Sequence, residues 1–320
     1  MIKVIYDGTT ETAVHKEVFG ATIAELAAED KDVIYLDADV MNSSGTYKFW
    51  LANPERAINC GIAEANMMGV AAGLAAMGKK PYATTFAPFA SRRCYDQVFM
   101  SIAYAKNDVR IYGSDAGVTA AFNGGTHMPF EDMSLMRAVP DATVIDIADG
   151  VQLKWVLRAV KDNKGLTYMR STRKSNIKIY EEGSEFELGK GVVLRDGKDV
   201  TIIACGIMVG EAMGAAEILK EKGIDARVVD MFTVKPVDAE LVIKCAKETG
   251  CIVTAENHNV IGGLGDAVAS VVVANAPVPM LKHGVQDEFG QVGPQPYLQE
   301  VYKLTAKDLA ETVEKAVAMK

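Results

Sequence analysis

The sequence predicts an α/β fold built as two doubly wound domains, a parallel-sheet domain followed by a smaller α/β domain. Three observations lead there. Short runs of consecutive apolar residues alternate with longer stretches whose apolar residues recur every three or four positions, the pattern of a parallel sheet covered by helices on both faces. The alternation stops in Ser171–Lys190, STRKSNIKIYEEGSEFELGK, and then resumes. The chain has 320 residues, 49% of them hydrophobic, enough for two cores.

The elements follow in order. Val14–Asp30 places Val18, Phe19, Thr22, Ile23 and Leu26 at helical spacing. Val33–Asp37 is a short apolar run that ends in acid and turn residues and reads as a strand buried on both faces. The same pattern predicts strands at Ala57–Gly61, Pro81–Phe86, Val109–Gly113, Thr143–Ile147 and Leu166–Arg170. Between them lie expected helices at Ala63–Met77, Phe89–Ala105, Glu131–Ala138 and Val151–Asp162. The charged, glycine-containing segment 176–190 reads as a linker between a domain over 1–175 and one over 191–320. The second series sets strands at Val200–Cys205, Ala226–Met231, Cys251–Ala255 and Val278–Lys282. Its helices are expected at Met208–Glu221, Asp238–Glu248, Asp266–Val273 and Ala306–Met319.

Composition excludes several function classes. With 34 Lys+Arg against 42 Asp+Glu the formal charge is −8, which argues against nucleic acid or an anionic membrane as the main partner. Five cysteines without CxxC spacing read as reduced, buried thiols, and the opening residues show no signal-peptide pattern; a soluble cytoplasmic protein is expected. No phosphate-binding GxxxxGK[ST] loop, HExxH, GxSxG or GxGxxG pattern occurs, and the four histidines are too scattered for a local metal site. The Gly262-Gly-Leu-Gly265 turn either holds an anion on free backbone N–H groups or simply permits tight helix–sheet packing.

The informative segment is AINCGIAEANMMGVAAGLAAM, residues 57–77. Its helix carries one charge, Glu64, in the first turn, where a carboxylate also has an ordinary place near the helix dipole. Because the helix is apolar all round, burial is expected, and a carboxyl so placed can hold or share a proton near neutral pH. Phe86 and Phe89 flank Pro88 at a strand end, a spacing that suits a loop entering a helix.

Taken together, Gly61-Ile-Ala-Glu64-Ala-Asn, Thr84-Thr-Phe86-Ala-Pro-Phe89 and Gly124-Gly-Thr-His127 resemble the pyrimidine-binding domain of transketolase-type thiamine diphosphate enzymes. Ala255-Glu-Asn-His258 and Gly262-Gly-Leu-Gly265 look like that family's C-terminal domain. The resemblance implies that Glu64 hydrogen-bonds the cofactor's aminopyrimidine ring, that Phe89 stacks on it and that Phe86 lines the same pocket. It places His127 near the thiazolium and substrate, and Asp39 among the cofactor contacts. It makes Arg170, at a strand end, a phosphate clamp, and Ser43 a phosphate contact, while Arg92 could face the site or solvent. Asn123 stands where many transketolases carry an acid that reads the donor's hydroxyl configuration, and an amide both donates and accepts.

The family also needs a Gly-Asp-Gly motif to hold Mg²⁺ or Ca²⁺ against the diphosphate, and none occurs here. The resemblance therefore implies the C-terminal subunit of a split transketolase. It would act on sugar phosphates with a separate N-terminal subunit that holds the metal, in an α2β2 assembly. Rival expectations are the β subunit of a 2-oxo-acid dehydrogenase component, half of a deoxyxylulose-phosphate synthase, and a non-catalytic scaffold that kept the fold.

Overall fold

The computed structural model describes residues 2–320. Among these, twelve strands form two sheets. The first sheet takes β1 (Val33–Asp37), β2 (Ala57–Asn59), β3 (Lys80–Phe86), β4 (Val109–Ser114), β5 (Thr143–Asp146) and β6 (Leu166–Ser171). The second takes β7 (Val192–Arg195), β8 (Val200–Ala204), β9 (Ala226–Asp230), β11 (Ile252–Asn259) and β12 (Met280–Val285). The remaining strand, β10 (Thr233–Lys235), belongs to the later half of the chain but pairs antiparallel with β5 at the edge of the first sheet.

The order is β10-β5-β6-β4-β3-β1-β2 in the first sheet and β12-β11-β8-β9-β7 in the second. All pairs are parallel except β10 with β5 and β7 with β9. Burial on both faces explains the continuous apolar runs: every residue of β1, β4, β6, β8 and β9 is buried. In the first sheet β1 is flanked by β2 on one side and β3 on the other, so the chain leaves it in one direction and later crosses back. A crevice at the carboxyl ends of the strands forms at such a reversal and is the ligand site of open α/β sheets.

Several expectations need correction. The helix expected over Phe89–Ala105 is a series of short pieces: Ala87–Ala90, a 3₁₀ turn Arg92–Cys94, Tyr95–Gln97 and a π-helical stretch Val98–Tyr104. Pro88 can open the first piece, because its missing N–H would have no partner there. Ser91, at φ −112° and ψ −87°, breaks it, with its hydroxyl turned back to the Ala87 carbonyl at 2.7 Å. The helix Glu64–Ala76 is not buried all round. It packs Met67, Met68, Ala71 and Ala72 inward while Asn66, Gly69, Gly73 and Ala76 are exposed, as are Ile62 at 76% and Met77 at 81% just beyond its ends. A helix laid on one face of a sheet has only one side to bury, so its apolar outer side is left to solvent in this chain.

The segment expected as a solvated linker is pinned instead. Ile179 and Tyr180 are buried, their N–H groups donate to Asp149 Oδ2 at 3.1 and 2.8 Å, and Ile177 and Tyr180 bridge to Thr10 and Val4. The turn-rich stretch after β1 contains two short helices, Met41–Ser44 and Tyr47–Ala52, that no sustained period announces. No helix among the described residues is long and apolar enough to cross a membrane, and the five cysteines are unpaired.

Candidate active site

The site assembles from three loops at the carboxyl ends of the first sheet. Glu64 is the first residue of the helix that follows β2, and its side chain is 3% exposed. Phe86 ends β3, and Phe89 lies in the short helix after it. His127 comes from the loop after the 3₁₀ helix Gly117–Asn123 that follows β4. The three rings meet edge to face, with centroids 6.2 Å apart for Phe86 and Phe89, 5.6 Å for Phe86 and His127, and 4.9 Å for Phe89 and His127. Those spacings fall in the favourable range for aromatic pairs.

Cations surround these rings. Arg93 Nη1 donates to Glu64 Oε1 at 2.9 Å, and its Cζ lies 3.7 Å from the Phe89 centroid. The guanidinium of Arg173 lies 5.8 Å from the Phe86 ring and pairs through Nε with Asp115 Oδ1 at 3.0 Å. Arg92 turns the other way, to Glu131 Oε1 at 2.5 Å and the Thr126 carbonyl at 2.9 Å, and so tethers the loop that carries His127. Burial, followed by Arg93, Arg92 and Arg173, lowers the His127 pKa below the usual imidazole value, so the ring is neutral at pH 7. Its Nδ1 bonds the Thr126 hydroxyl at 2.9 Å, which leaves Nε2 without a protein partner among the described residues. Burial pushes the Asp115 carboxyl up to about 6 against the opposing pull of Arg173.

Both halves match the family descriptions for transketolase, the pyrimidine-binding domain over residues 12–177 and the C-terminal domain over 189–309. The chain belongs to the transketolase family. That family depends on thiamine diphosphate. A 6-deoxy-6-sulfo-D-fructose transketolase subunit of Clostridium sp. (strain MSTE9) is 47% identical over 95% of each chain. One subunit of an apulose-4-phosphate transketolase of Phocaeicola vulgatus is 38% identical over 85% of this chain and 88% of its own. Rat transketolase is 36% identical, but this chain spans only 44% of its length. Among solved structures, one described as a split gene transketolase, inactive beta4 tetramer, superposes with a TM-score of 0.87 at 42% identity, covering 96% of this chain and 98% of that one.

Within this transketolase-family chain, Glu64, Phe86, Phe89 and His127 come together. Asp39, exposed and at φ 66°, lies in the loop after β1 and accepts from Asn59 Nδ2 at 2.9 Å; Asn59 Oδ1 in turn takes the Gly61 N–H, which ties this loop to the one that leads into Glu64. Ser43, in the short helix Met41–Ser44, and Asn123, at the end of the 3₁₀ helix, are both half-buried with side chains free of protein partners among the described residues.

Arg170 is a correction. Its guanidinium is fully buried, donating to Asp132 Oδ1 at 2.8 Å, Asp146 Oδ2 at 2.9 Å and the Asn257 carbonyl at 3.0 Å, so it locks the two domains together and cannot meet a phosphate. Arg173, three residues on and 28% exposed, faces the rings in its place. In the sequence Arg173 looks like part of a charged linker start, and nothing there says which way Arg93 points. The signal available for Arg93 is a pair of adjacent arginines directly after the Phe86–Phe89 element. Glycine turn 262–265 also has its answer: the Glu256 carboxylate already takes the N–H groups of Leu264 and Gly265 at 2.7 and 2.8 Å. A Cβ on Gly263 would lie 1.8 Å from that carboxylate, so glycine there serves close packing around an internal anion.

Glu64 fits a single ring nitrogen that shares a proton with one carboxyl oxygen. Arg93 occupies Oε1, while Oε2 has no protein partner among the described residues, beside an aromatic face that is only half-buried.

Proposed function

We propose that this chain is the C-terminal subunit of a two-chain thiamine diphosphate-dependent transketolase. It moves a two-carbon glycolaldehyde unit from a ketose to an aldose, both with an anionic terminal group. The observation that carries this reading is the convergence of one buried carboxylate, two phenylalanines and a neutral imidazole at the carboxyl ends of the first sheet, with Arg93 and Arg173 beside the rings. The absence of a Gly-Asp-Gly pattern from the sequence, and a span of less than half of rat transketolase, support assigning the diphosphate and its Mg²⁺ or Ca²⁺ to a partner subunit. An α2β2 assembly follows from that reading, as does a cytoplasmic location for a chain with five unpaired cysteines.

When bound, the cofactor supplies the carbanion-stabilising chemistry that breaks and makes the carbon–carbon bond. The chain's own residues prepare it. Glu64 holds a proton at the ring nitrogen through Oε2, in a setting where water has little access. Phe89 supports the flat ring, and Phe86 closes the pocket beside it. His127, neutral and with Nε2 free, accepts a hydrogen bond from a substrate hydroxyl and can take its proton. Arg173, with Lys174 next to it, supplies the positive charge for the substrate's far end, where a guanidinium matches phosphate or sulfonate oxygens. The substrates named for two relatives, a 6-sulfo-ketose and a ketose phosphate, share that anionic end and favour this class. Asn123 and Ser43, half-buried with side chains free of protein partners among the described residues, are assigned on this reading as contacts for substrate hydroxyls and the phosphate.

Glu64→Gln tests the reading. Assayed with the partner subunit, ketol transfer should fall roughly 10²- to 10⁴-fold, the span expected for a positioned acid, with assembly unchanged by size-exclusion chromatography. Retained turnover overturns it.

A further inference from the structure

Arg93 joins the two side chains that a cofactor ring would meet. Nη1 donates to Glu64 Oε1 at 2.9 Å while the guanidinium carbon lies 3.7 Å above the Phe89 centroid. Glu64 stands at the head of the helix after β2, and Phe89 in the short helix after β3, so a single planar group spans two separate elements. The backbone puts it there. Ser91 breaks the helix after Ala90, and the 3₁₀ turn Arg92–Cys94 sends the two arginines apart, Arg92 to Glu131 and Arg93 to Glu64. A helix continued through Phe89–Ala105 would not contain that break.

This contact has a directional consequence. A carboxylate on a long side chain can present either oxygen, and fixing one oxygen with a charge-assisted bond leaves the other aimed in one direction. Stacking on Phe89 fixes the guanidinium plane itself, and a rigid planar fork keeps more of its orientation than an ammonium on a flexible stem.

We propose that Arg93 is a positioning residue that sets Glu64 Oε2 and the Phe89 ring in register for the aminopyrimidine. The proposal rests on the thiamine diphosphate reading above. Arg93 acts through Glu64 and Phe89 and performs no proton transfer.

The test titrates thiamine diphosphate with Mg²⁺ into the full-length chain assembled with its partner subunit, and follows binding by calorimetry. Arg93→Met should weaken binding roughly tenfold to a hundredfold, the worth of a hydrogen bond to a charged group. Arg93→Lys keeps the charge without the planar face and should recover part of that loss. At saturating cofactor, kcat should change less than the cofactor KM, and thermal melting of each variant reports whether the fold is intact. Binding by Arg93→Met within about twofold of wild type, or a lysine variant no better than the methionine, overturns the positioning role. Wild-type complex that binds no thiamine diphosphate overturns the functional reading itself, and this proposal with it.

Discussion

Replacing Arg170 with methionine separates two roles that an arginine at a strand end can play. The guanidinium, Asp132 and Asp146 are at most 4% exposed in their side chains, and the cation makes three hydrogen bonds, one of them to the second domain through the Asn257 carbonyl. Methionine preserves much of the volume but leaves two buried carboxylates without their counter-charge. Burial already pushes the Asp146 carboxyl up, and Arg170 is the largest influence that holds it down. Breaking a buried pair by removing one partner costs about 3–5 kcal/mol, a large share of the roughly 5–15 kcal/mol that holds a typical protein folded. With a urea slope of about 3 kcal/mol per molar, the unfolding midpoint should fall by about 1–1.7 M, read by far-ultraviolet circular dichroism. The companion variant is Arg173→Met. Arg173 is 28% exposed and pairs with one buried carboxylate, Asp115, so its loss should cost about 1–3 kcal/mol, less than that of Arg170. The KM for an anion-terminated ketose should instead rise roughly tenfold to a hundredfold. An Arg170→Met protein of normal stability but raised KM, or an Arg173→Met protein of unchanged KM, would refute the division of roles that burial implies for these two arginines.

Two further outcomes follow from the same geometry. His258 is fully buried, and burial chiefly, with Arg170 adding, lowers its pKa from the usual 6.5 to about 4. As pH falls below 6.5 the unfolded chain takes up the proton first, so stability present above 6.5 is lost towards pH 4; the gap between wild type and His258→Asn should shrink by about 3 kcal/mol over that window, and a constant gap in urea titrations would contradict it. Met77, 81% exposed just beyond the end of the helix Glu64–Ala76, is expected at a subunit contact. Met77→Glu should alter stability by about 0.5 kcal/mol or less yet weaken association in sedimentation equilibrium; an unchanged association constant counts against that contact.

Much of the architecture was legible because parallel strands buried on both faces must be apolar throughout, so Val33–Asp37, Val109–Ser114 and Val200–Ala204 announce themselves. Elements held by partners rather than by pattern were not. The three-residue strand β10 exists because β5 offers an open edge to it, and nothing in Thr233–Lys235 alone records that edge. The π-helical stretch Val98–Tyr104 and the break at Ser91 likewise left only an ordinary helical period in the sequence.

The order of residues by itself determined the alternation of helix and strand, the lone acid at Glu64, and the aromatic pair Phe86 and Phe89. These are local, since periodicity and residue type act within a few positions along the chain. Tertiary structure alone decided which charges face the crevice. Arg170 and Arg173 are three residues apart, yet one is sealed between Asp132 and Asp146 and the other lies beside Phe86. Arg92 and Arg93 are adjacent, yet only Arg93 reaches Glu64. The free energy of a charge depends on its surroundings, and those come from strands and loops far away in sequence.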